Sequence, residues 1–181
     1  MFGELLQNLI NMSYQALPYT YGALTEAQID AIPTSPKIPE GSTVFNTDTQ
    51  MLEIYNGRVW MDERCICYKV TSSVGSVAKG NLIMTDDANG EVGLATTTYR
   101  ERFVGVATRA SVNGFVPVAH CGKVQAICGD DVAIGRLAKI DSTAGTFDAA
   151  TTAGGGGIGL AMEAGEEGEL LFIALQTIEL S

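Results

Sequence analysis

The amino-acid sequence predicts a mainly β protein: short N-terminal helices and a small β-meander, followed by a β-barrel or sandwich built from two repeats. Three observations predict this. Hydrophobic residues make up 46% of the 181 residues, but 21 Gly and a single Trp favour many short elements over a few long helices. Apolar and polar residues alternate from Ser42 to about Tyr68. A segment of about 55 residues then occurs twice. We expect an N-terminal arm at 1–40, the meander at 41–70 and the repeat domain at 71–181.

The first residues predict a short amphipathic helix that ends before Pro18. Phe2, Leu5, Leu6 and Leu9 recur at helical spacing, so their side chains share one face. An apolar stripe on an isolated helix needs a surface to pack on. We therefore expect these four residues to form an arm that lies on a partner.

A second short helix is predicted at LTEAQIDAIP. Thr25 can cap its first turn, Gln28 occupies the reciprocal position of a capping box, and Pro33 stops it. The following PTSPKIPEG holds three prolines in nine residues, which favours an extended connector over a helix.

The β-meander is predicted from VFNTDTQMLEIYNG, residues 44–57, and the strand around Val59-Trp60-Met61. Asn56-Gly57 between alternating runs is a strong hairpin signal, because both turn positions favour positive φ. Two or three strands are not stable alone in water. Phe45, Tyr55 and Trp60 are therefore expected to pack against the next domain or neighbouring copies, and a buried Trp60 would cost about 2–4 kcal/mol on replacement by alanine.

The internal repeat is the most informative feature of the chain. GNLIMTDDANGEVGLATTT, from Gly80, aligns with GRLAKIDSTAGTFDAATTA, from Gly135, and VGVATRASVNG aligns with IGLAMEAGEEG after a slip of one residue. The matching pairs include Gly80 with Gly135, Leu82 with Leu137, Asp86 with Asp141, Gly90 with Gly145, Gly105 with Gly159, and Gly114 with Gly168. Each copy is predicted to be a unit of four strands, with an Asp-containing turn after the first, a loop after the second and a Gly turn after the third.

Charge and hydropathy exclude several functions. The net charge is −10 with only 11 Lys and Arg, scattered along the chain, so we expect no nucleic-acid binding. No stretch approaches the roughly 20 apolar residues that span a bilayer, and the N-terminus lacks a secretory signal, so we expect a soluble protein without membrane contact. The four cysteines are then expected to be reduced.

A dinucleotide-binding loop is not supported. Gly154, Gly156 and Gly159 satisfy G-x-G-x-x-G, with Glu179 downstream as a candidate ribose-binding acid. Such a loop must open a helix, whereas this segment leads into IGLAMEAGEEG, which matches a strand and turn of the other repeat. We expect a loop between strands and no cofactor.

A zinc site is the second candidate. His120 and Cys121 are adjacent, and Cys65, Cys67 and Cys128 lie elsewhere. Zinc sites usually use C-x-x-C knuckles, whereas C-x-C on a strand places both thiols on one face, which suits burial equally well. Burial is the preferred interpretation, and we expect no metal.

Catalysis and calcium binding are also disfavoured. The single His has no defensible Ser-His-Asp or Cys-His partners, so we expect no enzyme activity and no catalytic residues. The clusters beginning at Asp86 and Asp141 lack the spaced oxygens and distal Glu of a calcium loop. They are expected to be turns in which Asp accepts backbone hydrogen bonds.

Two parts of the chain resemble bacteriophage structural proteins. Leu24 to Trp60, with L-T-x-A-Q, V-F-N-T-D-T-x-x-L-E-I-Y-N-G and a terminal Trp, resembles a short module of phage fibre and head-appendage proteins. Gly75 to Leu175, with VGVA, IGLA, the G-x-L-A-K-I-D-S-T-A-G-T-F hairpin and ELLFIAL, resembles the β-rich capsid decoration, or cement, domains of tailed phages.

The resemblance implies a virion protein on the capsid exterior, assembled in the host cytoplasm. It implies that a homotrimer binds the major capsid protein and stabilises contacts between its copies. The assembly interface is then expected to involve Phe2, Leu5, Leu6 and Leu9 of the arm, and Phe45, Tyr55 and Trp60 of the fibre-like meander. The alternative is a head or tail fibre protein that binds a host-surface receptor or glycan. Enzyme activity ranks third.

Overall fold

The computed structural model describes residues 18–32, 38–86, 90–150 and 157–176, apart from the side chain of Arg100. The chain divides into two compact units, Met1–Glu63 and Arg64–Ser181. This division falls inside the stretch 41–70 that the sequence assigned to the meander. The predicted first helix, with Phe2, Leu5, Leu6 and Leu9, lies outside the described residues.

The described part of the first unit, residues 18–32 and 38–63, contains a four-stranded sheet and one short helix. The helix is α1 (Glu26–Asp30), and the strands are β1 (Thr20–Leu24), β2 (Thr43–Asn46), β3 (Met51–Tyr55) and β4 (Trp60–Asp62). The order is β1-β2-β3-β4, with β1 parallel to β2 and the other pairs antiparallel. The meander is confirmed, but β1 was not predicted, because its sequence has no clear alternation.

Helix α1 confirms the predicted capping box. The backbone N–H of Gln28 donates to Thr25 Oγ1 at 3.3 Å, and the backbone N–H of Thr25 donates to Gln28 Oε1 at 2.9 Å. Ile29, on the buried side of α1, packs in a cluster with Ile38, Val44 and Trp60. The helix therefore covers one face of the sheet and forms the core of the first unit.

Asparagine side chains hold both turns of the meander. Asn46 Oδ1 accepts hydrogen bonds from the N–H groups of Asp48 and Thr49, at 2.9 and 3.3 Å. The second turn differs from the prediction: Tyr55 pairs with Trp60, so the loop is 56–59, and of the Asn-Gly pair only Gly57 has a positive φ, of 86°. Asn56 acts through its side chain, whose Oδ1 accepts from the N–H of Val59 at 2.9 Å.

In the second unit, the residues that the structure describes form ten strands in two sheets. They are β5 (Cys65–Lys69), β6 (Leu82–Thr85), β7 (Val92–Leu94), β8 (Phe103–Ala107), β9 (Phe115–Ala119), β10 (Gly122–Ile127), β11 (Leu137–Ile140), β12 (Phe147–Ala149), β13 (Gly159–Ala161) and β14 (Leu170–Leu175), with a 3-10 segment at Thr97–Arg102. One sheet has the order β5-β9-β8-β6-β7 and the other β10-β14-β13-β11-β12.

The two sheets have the same topology, which confirms the predicted duplication. Adding five to each strand number of the first order gives the second order. We call residues 65–119 repeat 1 and residues 122–175 repeat 2. Each repeat has five described strands and not the predicted four, because the sequence alignment did not include β5 and β10, which precede the segments that it matched. Both sheets are open, so the barrel alternative is wrong for the described strands and the arrangement is sandwich-like.

Two equivalent glycines allow close approach between strands. A Cβ at Gly105 would lie 2.0 Å from the carbonyl oxygen of Ala119, and one at Gly159 would lie 2.4 Å from that of Ala174. Real Cβ atoms do not approach a backbone oxygen this closely. Glycine is therefore required at both positions by packing of neighbouring strands.

The two repeats also have equivalent cores. In repeat 1 the buried cluster is Val70, Val77, Ile83, Val92, Ala107, Val116 and Val118. The corresponding residues of repeat 2 are Cys128, Val132, Ala138, Phe147, Ala161, Leu171 and Ile173, and each is at most 4% exposed. Each repeat thus buries one face of its sheet with its own residues. Among the described residues, no helix has the length and apolar character needed to cross a bilayer.

Candidate functional site

The candidate site is an apolar surface on the meander sheet. Phe45 pairs with Leu52, and Ile54 pairs with Met61, so these side chains project from the same face. Leu52 is 55% exposed, Ile54 47% and Phe45 38%. We call Phe45, Leu52 and Ile54 the outer face. Contiguous exposed apolar side chains of this kind are typical of surfaces that bind another protein.

The burial pattern of β3 is the reverse of that of an ordinary surface strand. Glu53 is only 5% exposed, while its neighbours Leu52 and Ile54 project outwards. The Asn46 amide donates to Glu53 Oε1 at 2.6 Å, which offsets part of the cost of burying that side chain. A one-residue slip would exchange the two faces, but Trp60 and Val44 fix the register from the buried side. The strand therefore presents aliphatic residues where an uncomplexed sheet would present polar ones.

The three predicted interface residues of the meander lie on opposite faces. Phe45 belongs to the outer face. Trp60 is 7% exposed and lies against Tyr55 and Tyr21, with ring centroids 5.3 and 5.8 Å away. Tyr55 and Trp60 thus have packing partners inside the first unit. A contact of any of the three with another copy stays a prediction.

The predicted preference for cysteine burial over zinc binding is compatible with where the thiols lie. Cys65 and Cys128 are buried, Cys67 is half-buried and Cys121 is exposed. Burial raises the pKa of the Cys128 thiol, which therefore stays protonated at neutral pH. His120 Nε2 lies 3.3 Å from the hydroxyl of Tyr68. Within the described part of the chain, no three His, Cys, Asp or Glu side chains converge as metal ligands.

The Asp141 turn is held by its own carboxylate, as predicted. Asp141 Oδ2 accepts hydrogen bonds from the N–H of Thr143 and the hydroxyl of Thr146, both at 3.2 Å. Burial raises the pKa of Asp141, but these bonds and one from the backbone of Ser142 outweigh burial and lower the pKa below its usual value. The charged form therefore stabilises the turn that carries Gly145.

This pKa shift predicts a loss of stability in acid. The pKa of Asp141 is lower in the folded state than in the unfolded state, where it is near 3.8. The Asp141 carboxylate therefore contributes to the free energy of unfolding above pH 3.8, and this contribution is lost as the pH falls through the pKa of the folded state. Asp141→Asn is expected to lower the melting temperature at pH 7 and to flatten its dependence on pH below about 4. Asp131→Asn, at an exposed position, is the control and should retain the parent profile. Calorimetric scans between pH 2 and 7 measure both, and an unchanged profile for Asp141→Asn contradicts the assignment.

The Gly-rich segment is only partly described. Gly154 and Gly156 lie outside the described residues, as does Glu179. Gly159 is the first residue of β13, which pairs with β11 and β14. The predicted strand after this segment is confirmed, and the helix that a dinucleotide site requires does not follow it.

Sequence reasoning missed Leu52 and Ile54 as surface residues. The alternation in MLEIY showed that they share a face, but apolar residues are normally assigned to the buried side. The one available signal was that Tyr55 and Glu53 share the other face with Trp60. A large aromatic cluster can bury the face that carries Tyr55 and Trp60, and the face that carries Leu52 and Ile54 is then exposed.

Comparison with solved structures gives distant similarity to a phage protein. No protein family matches the chain, and no curated protein matches it. Among solved structures, it is similar to the crystal structure of the head fiber gp8.5 N base in bacteriophage phi29. The two share 17% identity with a TM-score of 0.47, over 65% of this chain and 97% of that chain. That neighbour is a phage head fibre protein, one of the two classes that the sequence resemblance names.

Proposed function

We propose that this chain is a structural protein of a bacteriophage virion. It binds the outside of the capsid as a trimer and stabilises contacts between major capsid proteins. The sequence resemblance of Leu24–Trp60 and Gly75–Leu175 to phage fibre and decoration proteins supports the class. The observation that carries the proposal is the outer face, Phe45, Leu52 and Ile54, because it presents apolar side chains next to a buried Glu53.

The physical basis is burial and multivalency. Covering an exposed leucine or isoleucine contributes about 1.5–3 kcal/mol at most, so the outer face of one chain forms only a modest contact. Joining three chains makes the later contacts intramolecular and slows dissociation strongly. A trimer that makes three such contacts can stabilise a shell, and it needs no deep binding pocket to do so. Its charge of −10 limits nonspecific attachment to packaged nucleic acid.

The test is binding of the purified full chain to empty heads that lack it. We expect saturable binding and a higher temperature of head disruption. Leu52→Glu should weaken binding at least tenfold, which corresponds to about 1.4 kcal/mol, because it places a charge in the apolar contact. Val112→Glu is the matched control, since Val112 is 48% exposed on a turn of the second unit.

Two outcomes would contradict the proposal. A chain that does not bind heads at any tested concentration rules out the capsid function. If the parent and Leu52→Glu bind heads equally well, the outer face is not the surface that binds the capsid. The alternative, a fibre protein that binds a host glycan, predicts instead that the protein binds host cells when heads are absent. Exposed aromatic rings would carry that contact, and Tyr99 is 43% exposed, but the Arg102 guanidinium already lies 4.5 Å from its ring centroid.

A further inference from the structure

An apolar surface lies at the end of β13 in repeat 2. The N–H of Gly135 donates to the carbonyl of Ala161 at 2.8 Å, so the turn before β11 lies beside the end of β13. The exposed apolar residues there are Ile134, Leu160 and Met162, with exposed fractions of 67%, 40% and 43%. We call these three residues the apolar patch. Ile134 is the most exposed large hydrophobic residue in the part of the chain that the structure describes.

The equivalent surface of repeat 1 is polar or covered. The N–H of Gly80 donates to the carbonyl of Ala107 at 2.8 Å, as Gly135 does to Ala161, and this bond fixes the equivalence. The residues of repeat 1 that correspond to Ile134, Leu160 and Met162 are Lys79, Val106 and Thr108. Val106 is 0% exposed. Repeat 2 thus exposes apolar side chains where repeat 1 has polar or buried ones, which is typical of a surface that binds another protein.

Cations border the apolar patch. Arg136 is exposed, and its guanidinium has no ion-pair partner among the described residues. The Lys123 ammonium lies 3.9 Å from the ring centroid of Phe172, and the N–H of Met162 donates to the carbonyl of Phe172 at 2.8 Å. The neighbouring carboxylate of Glu163 accepts a hydrogen bond from the N–H of Phe172 at 2.7 Å. The net charge of the chain is −10, so a cationic rim of this kind favours an acidic partner surface.

The turn between β13 and β14 is the second surface that distinguishes repeat 2. Its exposed residues Glu166, Glu167 and Glu169 replace Val112, Asn113 and Phe115 of repeat 1. We call residues 166–169 the acidic turn. The N–H of Glu169 donates to the carbonyl of Glu166 at 3.1 Å, and the N–H of Cys128 donates to the carbonyl of Glu169 at 3.0 Å. Because these bonds already order the backbone, the turn loses little conformational entropy when it binds a partner.

The apolar patch and the acidic turn adjoin on the chain. Val132 and Gly165 exchange two backbone hydrogen bonds, of 2.9 and 3.0 Å. Ile134 lies two residues after Val132, and Glu167 lies two residues after Gly165. A chain with two adjoining complementary surfaces contacts two neighbours close to a common axis. Such contacts close into a ring with few members, as a trimer requires.

We infer that the apolar patch of one copy of this chain binds the acidic turn of a second copy. Arg136 pairs with Glu167 across the contact. The apolar patch covers Leu170, which follows the acidic turn and is 39% exposed. The contact is heterologous, and three such contacts close the trimer. The inference rests on the self-association in the proposed function, names the surface that mediates it, and uses no residue of the outer face.

The experiment uses variants of the full chain that alter one side of the contact at a time. Ile134→Lys together with Met162→Thr gives the apolar patch the residues that repeat 1 has at the same positions. Arg136→Glu and Glu167→Arg each reverse one charge of the proposed pair. Val112→Glu is the control, because it places a glutamate on the turn of repeat 1, outside both surfaces.

Light scattering after size exclusion measures the number of chains in each species. We expect the parent and Val112→Glu to be trimers, and the Ile134→Lys, Met162→Thr variant to be a monomer. Arg136→Glu and Glu167→Arg should each dissociate at concentrations at least tenfold higher than the parent. An equimolar mixture of these two charge variants should associate, because each reversed charge then meets an opposite one on another chain.

Far-UV circular dichroism checks that each variant is folded. Ile134→Lys alone replaces the combined variant if the latter does not fold. A chain that carries both Arg136→Glu and Glu167→Arg should be a trimer again, since the two charges are exchanged across every contact of the ring.

The outcomes separate this inference from the proposed function. A monomeric parent overturns the inference together with the trimer of the proposed function. A trimeric parent whose Ile134→Lys, Met162→Thr variant is also trimeric overturns the inference alone. Charge variants that do not associate when mixed also overturn it, because Arg136 and Glu167 then do not meet across the contact.

Discussion

Gly105→Ala is expected to destabilise the second unit by about 3 kcal/mol or more. The new Cβ would lie 2.0 Å from the carbonyl oxygen and 2.9 Å from the carbonyl carbon of Ala119. These are backbone atoms of β9, which pairs with both β8 and β5, so they cannot move without breaking the sheet. The midpoint of denaturant unfolding, followed by far-UV circular dichroism, measures the effect.

Gly93→Ala is the matched control for this prediction. Gly93 lies in β7 and does not have a positive φ. A Cβ added at Gly93 would have a methyl group of Val74 as its nearest neighbour, at 3.4 Å. We expect its effect to stay within about 1 kcal/mol of the parent, in either direction. Gly159→Ala repeats the test in the other sheet, where the contact is with Ala174. Parent-like unfolding of Gly105→Ala would falsify the close-approach explanation for both repeats.

Trp60→Ala is expected to destabilise the first unit by about 2–4 kcal/mol. The ring is 7% exposed and packs against Tyr21 and Tyr55, and its loss leaves a cavity next to Val44 and Ile29. Trp60 is the only tryptophan, so its fluorescence follows unfolding of this unit in the parent protein. Calorimetry compares the parent with the variant, which lacks that signal.

Phe45→Ala provides the contrast on the opposite face of the same sheet. Phe45 is 38% exposed, so its loss should change the stability of the free protein by only about 0.5 kcal/mol. Head binding, in contrast, should weaken because the outer face is smaller. If Trp60→Ala and Phe45→Ala cost the same stability, the assignment of buried and outer faces is wrong.

Local chemistry made several elements predictable. The capping box of Thr25 and Gln28 forms within four residues, and Asn46 and Asp141 hold turns whose donors follow directly in sequence. Such interactions need no distant partner, so the residue types are sufficient. Strand β1 could not be found in this way, because Thr20–Leu24 is ordered by parallel pairing with β2, more than twenty residues away.

The extent of the repeat was harder to predict than its existence. Gly80, Gly90 and Gly114 match Gly135, Gly145 and Gly168, and all six have a positive φ. Few residues other than glycine adopt a positive φ, so the glycines at these positions can be recognised in the sequence of both repeats. Strands β5 and β10 carry no such glycine pair; CICYK and GKVQAI share only alternation. Their equivalence follows from pairing with β9 and β14.

The amino-acid pattern was sufficient to predict that the chain contains a meander and a duplicated β unit with glycines at its turns, because turns, caps and close strand contacts restrict which residues are allowed. It was not sufficient to predict which apolar residues are covered. Leu82 and Leu137 occupy the same position in their repeats, yet one is fully buried and the other half-buried. Leu52 is exposed beside a buried Glu53. Burial depends on what packs against a face, and the pattern within a strand does not encode that neighbour.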